Sequence, residues 1–228
     1  MARLDPPVLP LYLYRYRPLT TDKILAREIE AVREQYIWLS QYPELNDPME
    51  GFYEASRRVL ADQNYNQVTQ DLLNAKRNIG ICSFSETKED ELMWAHYASN
   101  YAGMCVAYRP QPLVDGLPDD AHLVRLAYGS VPPGISNLEA ADLQGAARKI
   151  LSHKKSSWVH EREWRLLGQP GRRDILSKSC AREVYLGARI KPEHKQSILE
   201  KLQDVNVRIY EMRVDQYTHG RSQLKKLK

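Results

Sequence analysis

Eight consecutive residues, Trp158-Val159-His160-Glu161-Arg162-Glu163-Trp164-Arg165, bring together two carboxylates, two arginines, an imidazole and two indoles. Read as a strand, the segment places Glu161, Glu163 and Arg165 on one face and Trp158, His160, Arg162 and Trp164 on the other. Carboxylates beside an arginine are either a solvated ladder of cancelling charges or a site, because burying them unpaired is expensive. As a site, Glu161 and Glu163 are its carboxylate pair.

Three other groups of polar residues lie on separate predicted elements. Arg15 and Arg17 sit together on an early strand. Ser83 and Ser85 continue the apolar stripe Ile79-Ile81 with hydroxyls, which satisfy neighbouring backbone or line the mouth of a pocket. Asn46-Asp47-Pro48 is a turn signal, read either as a rigid turn or as a ligand-facing loop. Met93-Trp94-Ala95-His96-Tyr97 falls on a short helix ending before Gly103, and His96 is read either as a structural hydrogen-bonder or as an acid–base group. No Walker loop, dinucleotide glycine fingerprint, HExxH or GxSxG motif is present, and no residue set has metal-ligand spacing.

The 228 residues suffice to bury a sizeable core, and a net charge of +4 is too small to argue for nucleic-acid binding. Three widely spaced cysteines (Cys82, Cys105 and Cys180) exclude a disulfide framework and fit a reducing compartment. The N-terminal Val8–Leu13 run is broken by Pro10 and has no signal-peptide pattern, and no apolar run is long enough to span a membrane. A cytoplasmic protein is expected.

The elements that must position these residues follow from periodicity. Tyr12, Tyr14 and Tyr16 alternate with Leu11, Leu13, Arg15 and Arg17 in a strand ended by Pro18. Leu25, Ile29 and Val32, preceded by the N-cap types Thr20 to Asp22, mark a helix. Helical patterning from Gly51 to Arg77 breaks near Asn64 to Asn66. Strands are expected at 36–40, 78–86, 104–108, 123–128, 158–167, 183–187 and 205–210. Further helices are expected near 143–151, ending in the cationic run His153-Lys154-Lys155, and at 192–202. Strands and helices alternate without a βαβ rhythm, so the expected fold is α+β: a mixed or antiparallel sheet with peripheral helices. An extended lead-in (1–10), a single domain (11–218) and an unstructured basic tail (219–228) complete the expectation.

The segments Tyr14–Arg17, Asn46–Pro48, Ile81–Glu86, Met93–Tyr97, Gly103–Cys105 and Trp158–Arg165 resemble the successive motifs of a widespread bacterial family of unknown function. That resemblance implies a grouping and a bacterial setting, with a role in defence or as a toxin as the associated expectation. The order arginine, Ser-x-Ser, Glu-x-Glu is also similar to the arginine–serine–glutamate ADP-ribosyltransferases. This similarity implies an ADP-ribosyltransferase-like fold with NAD as substrate. Arg15 or Arg17 would hold the NAD phosphates, Ser83 and Ser85, with Tyr97, the nicotinamide end, and Glu163 a ribose hydroxyl, while Glu161 would serve the acceptor. Asn46, Asp47, Trp94, Trp158 and Arg165 complete the expected substrate-binding set. Of these, Arg165 is expected to hold Glu161 or Glu163 in place.

Two other classes compete. His96, Asp47, Glu161, Glu163 and Lys155 form an acid–base set for acting on RNA or DNA, with aromatic rings as stacking platforms. Alternatively, Trp94, Trp158 and Trp164 with Arg15 and Arg165 make a non-catalytic module for a nucleotide or a protein. The acceptor, whether nucleic acid or protein, and the oligomeric state are not encoded in any motif.

Overall fold

A computed structural model describes residues 8–45, 47, 49–177, 180–213 and 223–228. Most of the expected lead-in, Asn46, and part of the expected tail lie outside them. The fold is α+β, with mixed, mostly antiparallel strand pairing and peripheral helices, as the sequence patterning predicts. The chain divides into two compact units. The first comprises residues 1–37, 84–118 and 174–228, and the second 38–83 and 119–173.

In the first unit, strand Leu13–Arg17 pairs antiparallel with Met104–Tyr108, which pairs antiparallel with Ala181–Leu186. Ala181–Leu186 then pairs in parallel with Arg208–Arg213. A parallel neighbour requires a crossover, and helix Pro192–Lys201 lies in that connection. Helix Asp22–Arg33 starts where the sequence signals it: the Thr21 hydroxyl accepts from the Ile24 amide at 3.2 Å, and Leu25, Ile29 and Val32 are buried. The core of this unit joins Tyr16, Met93, Trp94, Ala98, Cys105, Ala107, Tyr185 and Met212.

The basic tail departs from expectation. Gln223–Lys226 forms a strand antiparallel to Arg208–Arg213, and the Lys228 ammonium donates to the carbonyls of Leu202 and Val205. An open strand edge with unpaired backbone groups, beside carbonyls left over at a helix end, orders a segment that composition alone reads as solvated.

In the second unit, strand Glu163–Gly168 pairs antiparallel with His122–Arg125 and also pairs with Gly80–Ser85. Ser40 and Gln41 face Ile81 and Gly80. Helices Tyr65–Arg77 and Leu143–Leu151 supply Leu72, Ala75, Ala146, Ala147, Ile150 and Leu151 to a core shared with Ile79, Ile81, Ile135 and Leu167. The expected strand 123–128 is split. Leu126 leaves the ladder to donate its amide to the Glu163 carbonyl, and Ala127–Gly129 pairs in parallel with His153–Lys155. That last strand is the cationic run expected at the helix end. The three cysteines are buried and none forms a disulfide, and among the described residues no helix is long and apolar enough to cross a membrane.

Gly103 marks a close backbone approach in the first unit. Its amide donates to the Ala98 carbonyl, and a Cβ there would lie 2.3 Å from the Arg17 carbonyl oxygen and 2.9 Å from Ala98 backbone atoms. Gly103→Ala is therefore expected to destabilise the protein by about 1–3 kcal/mol, read as a lowered Tm at unchanged secondary structure.

Candidate functional site

The segment Trp158–Arg165 is not one strand. Ser156–Glu161 forms a 3₁₀ helix, Arg162 adopts the left-handed conformation with φ of 45°, and only Glu163–Gly168 is extended. A non-glycine residue in that region costs on the order of 1–2 kcal/mol, so something must hold it. What holds it is the pair of carboxylates on either side. The turn carries Glu161 and Glu163 to opposite flanks of the Lys154 ammonium, at 2.6 Å and 3.0 Å.

The exposed-ladder reading is overturned: Glu161, Glu163 and Arg165 are only 2%, 3% and 1% exposed. Lys154 also pairs with Glu50 at 3.2 Å. Arg165 bridges from Glu163 (2.7 Å from Nε) to Glu50 (2.5 Å from Nη2) and donates through Nη1 to the Leu151 carbonyl at 2.8 Å. Arg165 is thus bonded to Glu163, one of the two carboxylates the sequence pairs it with. The Glu163 amide donates to the Tyr128 hydroxyl at 2.8 Å, and the Trp158 ring lies 5.1 Å from the Lys154 ammonium, a cation–π contact. Every one of these groups belongs to the second unit.

Burial by itself would push the Glu163 carboxyl upward. The charges of Arg165 and Lys154, with hydrogen bonds from Arg165 and Ser83, outweigh it and hold the group down at about 2. Burial works against the charged forms of Lys154 and Arg165 too, and the surrounding carboxylates overcome it in both, holding them well above their ordinary values. The network is therefore fully ionised near neutrality at these three groups.

Ser83 is exposed between buried Cys82 and Phe84, and its hydroxyl is among the groups that lower the Glu163 carboxyl. The Ser-x-Ser strand and the strand that starts at Glu163 are paired.

On its Glu50–Lys154 side the network borders a cavity of about 320 Å³. The cavity is built by three segments: 47–52 (without Pro48), 129–132 and 153–155. Asp47 shapes the first, its carboxylate accepting the Met49 amide at 2.9 Å, while the Tyr42 hydroxyl and the Lys76 ammonium hold the carbonyls of Glu50 and Gly51, each at 2.8 Å. His153 packs on Gly129, where a Cβ would sit 2.7 Å from its Nε2. Its burial lowers the imidazole pKa, leaving the neutral form at pH 7.

Of the remaining described candidates, Trp164 is buried in the second unit and the others lie in the first. Arg17 is ion-paired with Glu28 at 2.6 Å, and both Arg17 and buried Arg15 help hold the Glu28 carboxyl below its usual range against the effect of burial. Ser85 is fully buried and its hydroxyl accepts the Thr87 amide. Trp94 is a core residue: its indole N–H donates to the Lys88 carbonyl at 2.7 Å, its ring stacks on Tyr101, and Tyr16 meets it edge-on. His96 is exposed, with the partly buried Tyr97 ring edge-on to it. Glu50, Lys154, Tyr128 and His153 were not singled out from the sequence. Lys154 sat inside an apparent helix-end charge run, and Glu50 lay two residues beyond a turn signal, so neither carried a pattern of its own.

Residues 93–166, about a third of the chain, match the model of a family described as a protein of unknown function (DUF2971). The chain is similar to that family across Met93–Tyr97, Gly103–Cys105 and Trp158–Arg165; Arg15, Arg17, Glu50 and Ser83 fall outside the matched stretch. Neither a curated protein nor a solved structure matches the chain.

Two measurements test the network. Lys154→Met removes the cation shared by three carboxylates and is expected to destabilise the protein by about 3–5 kcal/mol in urea denaturation. A Glu163 carboxyl held near 2 when folded, against an ordinary value of 4.5, contributes stability that is complete above about pH 4.5. That contribution is lost as the pH falls towards about 2, so the urea midpoint should drop across this window, and drop less steeply in Glu163→Gln.

Proposed function

We propose that the protein is an enzyme of glycosyl transfer from NAD, similar to the arginine–serine–glutamate ADP-ribosyltransferases, with its reaction centre at Glu163. The observation that carries this reading is the pairing of strand Gly80–Ser85 with strand Glu163–Gly168, which brings the Ser-x-Ser motif and the Glu163 end of the Glu-x-Glu motif onto neighbouring strands. It unites two of the three motifs that the resemblance requires, although they stand eighty residues apart in the sequence. Glu163 is an ionised carboxylate whose orientation is fixed by Arg165 and Lys154, which is what electrostatic stabilisation of a cationic sugar demands.

In the proposed step the bond from the ribose anomeric carbon to the nicotinamide nitrogen breaks. Its electron pair leaves with nicotinamide, whose ring nitrogen becomes neutral and needs no proton. Glu163 accepts a ribose hydroxyl and faces the positive charge left on the sugar. The acceptor nucleophile then closes on the anomeric carbon from the Glu161 side, its proton passing to Glu161 and from there to solvent. Arg17, committed to Glu28, is a weaker candidate for the NAD phosphates than the sequence suggests.

A second reading, action on a nucleic acid by acid–base chemistry, is favoured by a different observation. Asp47 and Lys155, both in the set chosen for that chemistry, line one cavity together with Glu50 and the neutral imidazole of His153. His96, the histidine first assigned there, is in the other unit. His153 takes its place as the proton acceptor.

Incubation with NAD labelled in the nicotinamide ring should release nicotinamide. Glu163→Gln should slow that release by about a hundredfold or more, with the Tm of the variant measured alongside. Undiminished turnover in folded Glu163→Gln would remove the transferase reading. Cleavage of RNA or DNA that persists without NAD and falls in His153→Ala would establish the second in its place.

A further inference from the structure

The cavity beside the network has two kinds of wall. Around its opening Met49, Phe52 and Val131 are 56%, 60% and 62% exposed, an unusual concentration of large apolar side chains left in water. The inner wall is ionic, and most of it is already satisfied. Both Glu50 oxygens are taken, one by Lys154 and the other by Arg165, and the Lys154 ammonium is shared among three carboxylates. Lys155 differs. It lines the same cavity, is exposed, and has no acidic partner among the described residues.

A ligand that complements this lining needs a flat apolar part for Phe52 and Met49 and a negative charge for Lys155. It also needs hydroxyl or amino donors for the Asp47 carboxylate, of which one oxygen holds the Met49 amide. The volume, about 320 Å³, falls at the lower end of the range for small-molecule sites, roughly 300–1,000 Å³. We infer that this cavity is a binding site for a nucleoside 5′-monophosphate, with the base against Phe52 and Met49, the phosphate at Lys155 and ribose hydroxyls on Asp47. Aromatic stacking supplies affinity that tolerates any base, and the single unpaired lysine supplies a phosphate preference. The rigid backing matters as well. Lys154 and Glu50 are pinned from behind, so the inner wall keeps its shape when the ligand arrives, and the ordering cost falls on the exposed Phe52, Met49 and Lys155. This site shares its cavity with the second reading above and is separate from the transferase reading; it requires binding only.

The test is calorimetric titration of the full chain with AMP, GMP, CMP and UMP, and with adenosine as the phosphate-free comparison. AMP should bind at least tenfold more tightly than adenosine. Lys155→Ala should abolish that difference by weakening AMP about tenfold while leaving adenosine unchanged, and Phe52→Ala should weaken both alike. Both positions are exposed, so the variants should keep the parent Tm. Equal affinity of the parent protein for AMP and adenosine would overturn the inference. So would a phosphate preference that survives Lys155→Ala, or failure of all four monophosphates to bind at millimolar concentration. Nicotinamide release is scored separately, so loss of the transferase reading leaves this result standing, and the reverse holds.

Discussion

Five ionisable groups are buried together in the second unit, and the local structure around them follows from the need to keep them paired. Taking Glu50, Glu161, Glu163, Lys154 and Arg165 out of water is affordable only if each finds a partner of opposite charge with good geometry. The 3₁₀ turn at Ser156–Glu161, the left-handed Arg162, and the short parallel strand that sinks Lys154 into the interior all serve that requirement. Without the turn, Glu161 and Glu163 would extend along one strand. With it, they close on one ammonium.

Such a network is a poor source of stability, because well-packed apolar side chains of similar volume commonly do as well or better. What it supplies is a fixed charged surface. Arg165 joins Glu163 to Glu50, so the carboxylate on the strand paired with that of Ser83 and the one that borders the cavity belong to the same rigid arrangement. A carboxylate pinned in this way can act on a developing charge without reorganising, and the inner cavity wall behind Glu50 and Lys154 keeps its shape.

The first unit uses similar residue types for a different purpose. Trp94 is consumed by packing between Tyr16 and Tyr101, and Arg17 by Glu28. The Tyr101 ring reaches its stacking position through three consecutive left-handed residues, Ser99, Asn100 and Tyr101, before Gly103 lets the chain pass close to the Arg17 carbonyl. Aromatic and guanidinium groups that look like recognition elements in a sequence are here parts of a core, and only their neighbours in space reveal it.

Period and capping made much of the fold legible from the sequence. Tyrosine alternation in 12–16, the 25-29-32 spacing after Thr20 to Asp22, and the apolar strand 104–108 each depend on contacts along one element, and each element formed, the first beginning at Leu13 and leaving Tyr12 outside it. The Trp158–Arg165 segment was legible as a concentration of chemistry, because the cost of burying carboxylates is a property of residue type. Its conformation was not. Whether alternating charges lie in water or in an interior depends on what stands opposite, and here Lys154 and Glu50 come from segments with no periodic signal. Tertiary structure alone decided that a lysine in an apparent helix-end run is buried, that the strand of Ser83 pairs with the strand of Glu163, and that a cavity opens beside the network. Pairing between distant charges is set by three-dimensional proximity, and local patterning carries no record of it.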